Sequence, residues 1–186
     1  MKTEAKLKEA LKNYMTSKPL EEINVTMLCK KCDIHRQTFY YHYQDIYDLL
    51  STILLNENVK GLNEAKTPVE ILDAFVDYTA KNFKFLQATY TSSAKDLIDQ
   101  LYSVRIYNKL LIILANSHKD LNRNDCRVIA RRFSKYLSEE FAHCFTYKEM
   151  TQLKLDRYMR RFGYTAIETI LPAVIDSYKK EKARKN

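Results

Sequence analysis

The chain has 186 residues, enough for one or two domains with a buried core of ordinary size. Two glycines and three prolines leave few places to turn a sheet, while abundant Leu, Lys, Ala and Glu favour helix, so the composition excludes a β-rich fold and predicts an all-α one. Thirty-one Lys and Arg against 23 Asp and Glu give a net charge of +8 and suggest a polyanionic partner, yet residues 1–60 hold 9 basic against 8 acidic side chains and residues 105–186 hold 18 against 9.

Met1 to Tyr14 alternates charged and apolar residues without the apolar core of a leader, and no apolar run approaches the roughly 18 residues of a membrane span. A cytoplasmic protein with four free thiols is expected. Leu7, Ala10, Leu11, Tyr14 and Met15 recur at helical spacing and predict an amphipathic helix over 3–16, with Lys2, Lys6, Lys8 and Lys12 on its wet side. Ser17-Lys18-Pro19 ends it, and Leu20 and Ile23 close a small core.

Val25 and Leu28 share one face of a short helix that Thr26 can cap through its hydroxyl. Ile34 fills a tight turn. Phe39 and Tyr43, four apart, mark the buried side of a second short helix, for which His35 is a weaker cap. Two short helices joined by a three-residue turn make a helix-turn-helix. The second carries Arg36, Gln37, Thr38, Tyr40, Tyr41 and His42 on barely two turns, a set of hydrogen-bonding side chains that fits the DNA major groove. The alternative is a merely solvated polar helix, for which Glu and Lys would serve as well as these tyrosines.

A connector helix is expected over 45–62, with Ile46, Leu49, Leu50, Ile53, Leu54 and Val59 as its apolar side. A break at 61–68 follows, then a helix from Pro68 to about 88, capped by Thr67. Thr91-Ser92-Ser93 interrupts the chain before a strongly apolar helix over 97–114. Residues 125–146 resume helical spacing, and a last helical region covers 150–180, bent near Gly163 and Pro172. The charged tail 179–186 is expected to fray.

The stretch Thr38-Phe39-Tyr40-Tyr41-His42-Tyr43-Gln44-Asp45-Ile46-Tyr47-Asp48-Leu49-Leu50, preceded by Val25-Thr26 and Ile34-His35-Arg36, resembles the DNA-binding region of TetR/AcrR-family transcriptional regulators, and looks most like a DhaS-like Gram-positive subgroup. The resemblance implies a helix-turn-helix head over 1–46, joined through the helix at 45–62 to an effector-binding and dimerisation body over 47–186. It places Arg36, Gln37, Thr38 and Tyr40 where family members touch bases, and Thr26, Tyr41 and His42 where they touch backbone. Side-chain chemistry is consistent: Arg and Gln form bidentate contacts with guanine and adenine edges, and hydroxyls and imidazole suit phosphate oxygens. Asp33 stands where most members carry Gly, and Ile46 where many carry a phosphate-binding Lys, which removes one expected backbone contact.

The resemblance further implies a homodimer facing a palindromic operator in double-stranded DNA, acting as a repressor released by a small-molecule effector. Alternatives are an activator controlled by a co-regulator protein, or a helical interaction module that binds no DNA. Tyr78, Phe83, Tyr102 and Arg105 are candidates to line an effector pocket, against the reading that they are ordinary core and surface. Phe133, Leu137, Phe141, Ile167, Ile170 and Val174 are candidates for the pairing surface, against intramolecular core. Arg131 and Arg132 with Arg157, Arg160 and Arg161 read as a solvated face.

Cys29-Lys30-Lys31-Cys32 has metal-site spacing, and His35 adds a third ligand type, but no second Cys pair exists to complete a tetrahedron. No metal and no cofactor are expected. Phosphate loops, nucleophile elbows and paired histidine motifs are all missing from the sequence, so no catalytic residue is assigned and an enzyme is not expected.

Overall fold

The computed structural model describes residues 3–185, and for Lys182, Ala183 and Lys185 the backbone alone. Helix α1, Thr3–Met15, buries the spaced apolar set Leu7, Ala10, Leu11 and Met15. Lys6 is exposed and Lys8 and Lys12 half-buried, whereas Lys2 lies outside the described residues. A 3₁₀ turn, Leu20–Glu22, follows, with Leu20 and Ile23 buried as expected.

Helix α2, Val25–Cys32, is capped by Asn24, whose side chain accepts the Met27 N–H at 3.0 Å. The cap expected at Thr26 is therefore displaced: Thr26 is the second helical residue, where a hydroxyl no longer faces the free N–H groups of the first turn. Asp33 ends α2 in the left-handed region (φ 53°, ψ 55°), a conformation its short polar side chain tolerates better than most. Helix α3 runs Arg36–His42. His35 makes no side-chain cap; its carbonyl accepts the Thr38 and Phe39 N–H groups instead.

Helix α4, Ile46–Leu55, opens on a reciprocal pair in which Asp45 accepts the Asp48 N–H at 2.8 Å and Asp48 accepts the Gln44 N–H at 2.9 Å. The connector expected over 45–62 stops at Leu55. Asn56 and Asn58 are weak helix formers, the Asn56 amide turns back onto the Thr52 carbonyl at 3.0 Å, and Gly61 takes φ 86°, which reverses the chain.

Thr67 accepts the Glu70 N–H at 3.2 Å and opens α5, Pro68–Tyr90. A kink at Asn82 (φ −115°, ψ 15°) interrupts α5 without any signal in its apolar pattern. The stretch expected as one helix over 97–114 is helical throughout but carries an internal π turn: α6 spans Asp96–Asp99, the π turn Gln100–Val104, and α7 Arg105–Ser117. Helix α8, Arg123–Cys144, is capped by Asn122. Helix α9, Gln152–Met159, passes through π turns at Arg160–Tyr164 and Ala166–Ile170 into α10, Leu171–Lys185. Gly163 thus sits in a π turn, and Pro172, which has no N–H to give the preceding turn, follows directly on the π turn Ala166–Ile170. Helix α10 takes in most of the charged tail and continues to Lys185, and Asn186 lies outside the described residues.

All described elements are helical. They form two units, Met1–Asn58 with Asn82–Leu101, and Val59–Lys81 with Tyr102–Asn186. Within the first, α1 to α4 are pinned to the end of α5 and to α6. Lys12 pairs with Glu57 at 2.9 Å and lies over the Phe85 ring, Glu21 accepts the Ser93 N–H at 2.9 Å, and Tyr47 donates to Asp96 at 3.0 Å. The Ser93 N–H holds the exposed Glu21 carboxyl below its ordinary range.

The second unit is centred on Tyr102. Its ring stacks on Phe141 with centroids 4.5 Å apart and an interplanar angle of 17°, and touches Phe75 and Phe145. Thr79 donates to the Phe75 carbonyl at 2.6 Å, so the Tyr102 hydroxyl donates to Thr79 at 2.7 Å. Burial pushes this phenol well above its ordinary range. In the same unit a Cβ on Gly163 would stand 2.9 Å from the Met159 terminal methyl and 3.0 Å from Leu72 Cδ2. Gly163→Val is expected to cost about 1–3 kcal/mol by overpacking. Gly163→Ala should cost less, because both neighbours are side-chain ends. Denaturant midpoints of the two variants check this order.

Candidate nucleic-acid interface

Phe39 and Tyr43 bury the inner side of α3 and sit 5.9 Å apart, centroid to centroid. With that side fixed, the helical period turns Arg36, Gln37, Tyr40 and Tyr41 outward. Tyr40 is 50 % and Tyr41 85 % exposed, and two adjacent rings left in water on a seven-residue helix contribute little to the fold. Arg36 donates to the Tyr40 hydroxyl at 3.4 Å and stands 5.9 Å from its ring, so the two side chains order each other along one edge.

Thr38 and His42 are half-buried. His42 Nδ1 lies 3.3 Å from the Glu4 carboxylate of α1, which leaves Nε2 as the ring nitrogen for an outside partner. Thr26 is exposed in the first turn of α2, and Lys30 and Lys31 in its last. The structure thus gathers Arg36, Gln37, Tyr40 and Tyr41 on one exposed face and sets Thr26 on the preceding helix. Ile46, half-buried at the start of α4, brings no cation.

Sequence reasoning missed Asn24 and Glu4. The first had a signal, because Asn immediately before an apolar-periodic segment is a strong cap. The second had none, since it acts across 38 residues. Cys29 and Cys32 are both buried, and burial pushes their thiols up, away from the thiolate that a metal or redox role needs.

Among the body candidates, Tyr102 is fully buried, Tyr78 and Phe83 are buried, and Arg105 is half-exposed. Phe83 belongs to the first unit and the other three to the second. In the second unit a groove of about 270 Å³ is lined mostly by apolar and aromatic side chains, among them Ile129, Phe133, Ile170 and Val174, with Arg132 as its one charged wall residue and none of those four candidates among its walls. Of the candidate pairing residues, Leu137, Phe141 and Ile167 are buried within the chain itself. Phe133, Ile170 and Val174 face the groove, Ile170 being 50 % exposed.

No family model matches the chain, and no curated protein does. A solved structure described as the dihydroxyacetone kinase operon activator DhaS matches it with a TM-score of 0.69 at 18% sequence identity, covering 95% of this chain and 97% of that one. The two share a fold. Among the described residues no helix is long and apolar enough to cross a membrane.

Proposed function

We propose that the chain is a homodimeric, sequence-specific DNA-binding transcriptional regulator of the TetR/AcrR type. The observation that carries this reading is the outer face of α3, where Arg36, Gln37, Tyr40 and Tyr41 stand in water on a helix anchored by Phe39 and Tyr43. Arg36 and Gln37 would read bases, with Thr38 and Tyr40 beside them, while Thr26, Tyr41 and His42 would meet phosphates. A second copy seated on the groove of the second unit would supply the twin helix that a palindromic operator requires.

For control, release of a repressor by a small-molecule effector is one reading. Two observations favour another, an activator governed by a partner protein. The fold neighbour is named an operon activator, and Tyr102, a candidate effector contact, is fully committed to the core. Thermal stabilisation across a metabolite panel separates the two: a clear shift supports the effector, and its absence supports the partner.

Selection of bound fragments from random duplex DNA tests the main reading, which expects two related half-sites about one helical turn apart. Gln37→Ala or Tyr40→Ala should relax sequence choice, removing about 1–3 kcal/mol of discrimination at the base contacted, whereas His42→Ala should weaken all duplexes about equally. Competition gel shifts distinguish these patterns. If no duplex is retained at any salt concentration, the chain is a helical interaction module instead.

A further inference from the structure

The basic surplus of the distal half has a specific address. Of ten arginines in the chain, seven fall within residues 123–161, although lysine is about twice as common overall. On α8 the exposed positions from 123 to 135 are Arg123, Asn124, Arg127, Arg131, Arg132 and Lys135. Arg123, Arg127, Arg131 and Lys135 follow one another at four-residue steps, each rising about 6 Å and turning about 40°, so they form a continuous stripe roughly 18 Å long. The groove residues Ile129 and Phe133 are each two positions from a stripe residue, hence on nearly the opposite side of the helix.

This pattern works against helix stability. Like charges four apart repel by about 0.2–0.5 kcal/mol per pair, and Arg123 places a cation in the first turn, against the helix dipole. Lys135 has an acidic neighbour in Glu139 at 3.7 Å, but Arg123, Arg127 and Arg131 have none within ion-pair distance among the described residues. A solvated face needs neither the single sign nor the choice of guanidinium, which is the group suited to bidentate contact with phosphate.

We propose that the α8 stripe is a second, sequence-independent surface for the phosphodiester backbone of duplex DNA, separate from α3. An acidic protein fits less well, because protein interfaces need an apolar centre and no exposed apolar side chain interrupts the stripe. Single strands fit less well too, since no exposed aromatic offers a base a stacking platform there.

The test is the salt dependence of full-length protein binding to a random-sequence duplex, measured by fluorescence anisotropy. The variant Arg123→Gln, Arg127→Gln, Arg131→Gln, Lys135→Gln should lower the log–log slope by up to about 3.6, or 0.9 per contact, and weaken affinity at 0.1 M salt at least ~10-fold. A control that removes four charges from scattered exposed lysines, Lys18→Gln, Lys81→Gln, Lys119→Gln, Lys148→Gln, should retain most of the slope. Equal losses in both variants would reduce the effect to net charge and overturn the proposal, as would an unchanged slope in the stripe variant or tighter binding of poly-glutamate than of duplex. The inference stands apart from the reading of α3: with Arg36→Gln and Tyr40→Ala in the background, the stripe variant should still lose affinity for random duplex.

Discussion

Tyr102→Ala is expected to lower the unfolding free energy by about 3–5 kcal/mol, the range for deleting a large ring from a core that cannot collapse around the gap. The ring is fully buried, stacked on Phe141 and in contact with Phe75 and Phe145, so its removal strips contacts from α5 and α8 at once. Tyr102→Phe should cost only about 1 kcal/mol, because Thr79 keeps its bond to the Phe75 carbonyl and loses only the proton it accepts. Urea unfolding of both variants, followed by far-ultraviolet circular dichroism, measures the pair. The ratio of the two effects matters more than either alone. If Tyr102 instead lined an effector cavity, alanine would enlarge a space already present and destabilise by less than about 1 kcal/mol, while changing ligand response.

The contrast between Tyr102 and Tyr40 marks how far the sequence could be read. Both are tyrosines on helices, and composition treats them alike. Tyr40 was legible as exposed because Phe39 and Tyr43 fix the inner side of a short helix, and local period alone then decides what faces out. Tyr102 lies in a segment apolar almost all round, so period cannot separate a core ring from a pocket ring, and only its distant partners Thr79 and Phe141 do.

Element boundaries obeyed the same division. Some of those set by neighbouring residues were legible, as where Thr67 with Pro68 opens α5 and Asp33 ends α2, although the cap of α2 was placed at Thr26 rather than Asn24. Those set at a distance were not. The kink at Asn82, the π turn of Gln100–Val104, and the bonds that pin Tyr47 to Asp96 and Glu21 to Ser93 depend on packing that no local pattern encodes. The early stop of α4 is intermediate, for Asn56, Asn58 and Gly61 are all breakers, yet the apolar spacing of Val59 and Leu62 continued the helical pattern past them. Those two side chains are buried all the same, in a turn rather than a helix.

On the proposed pairing through this groove, Ile170→Glu is expected to separate the two copies and to weaken operator binding by about 10²–10⁴-fold, the loss that follows when two linked contacts become one. Ile170 is 50 % exposed on the groove wall, so in a single chain the new carboxylate stays hydrated and the fold should persist. Against the groove of a second copy the same carboxylate would be desolvated beside Phe133 and Val174, with Arg132 as the one cation on that wall, so Ile170→Lys, which has no acidic partner there, should separate the copies at least as well. Sedimentation equilibrium reports the association, circular dichroism the fold, and titration with full-site and half-site duplexes the binding. The expected signature is a full-site affinity reduced to the level of a half-site, with half-site affinity unchanged, because Arg36, Gln37 and Tyr40 belong to the other unit and keep their places on α3. A variant that remains paired and binds the full site as the parent does would move the pairing surface away from this groove. A loss of half-site affinity as well would mean that the substitution reaches the reading head, and that pairing and reading are not separable in the way two units on one chain allow.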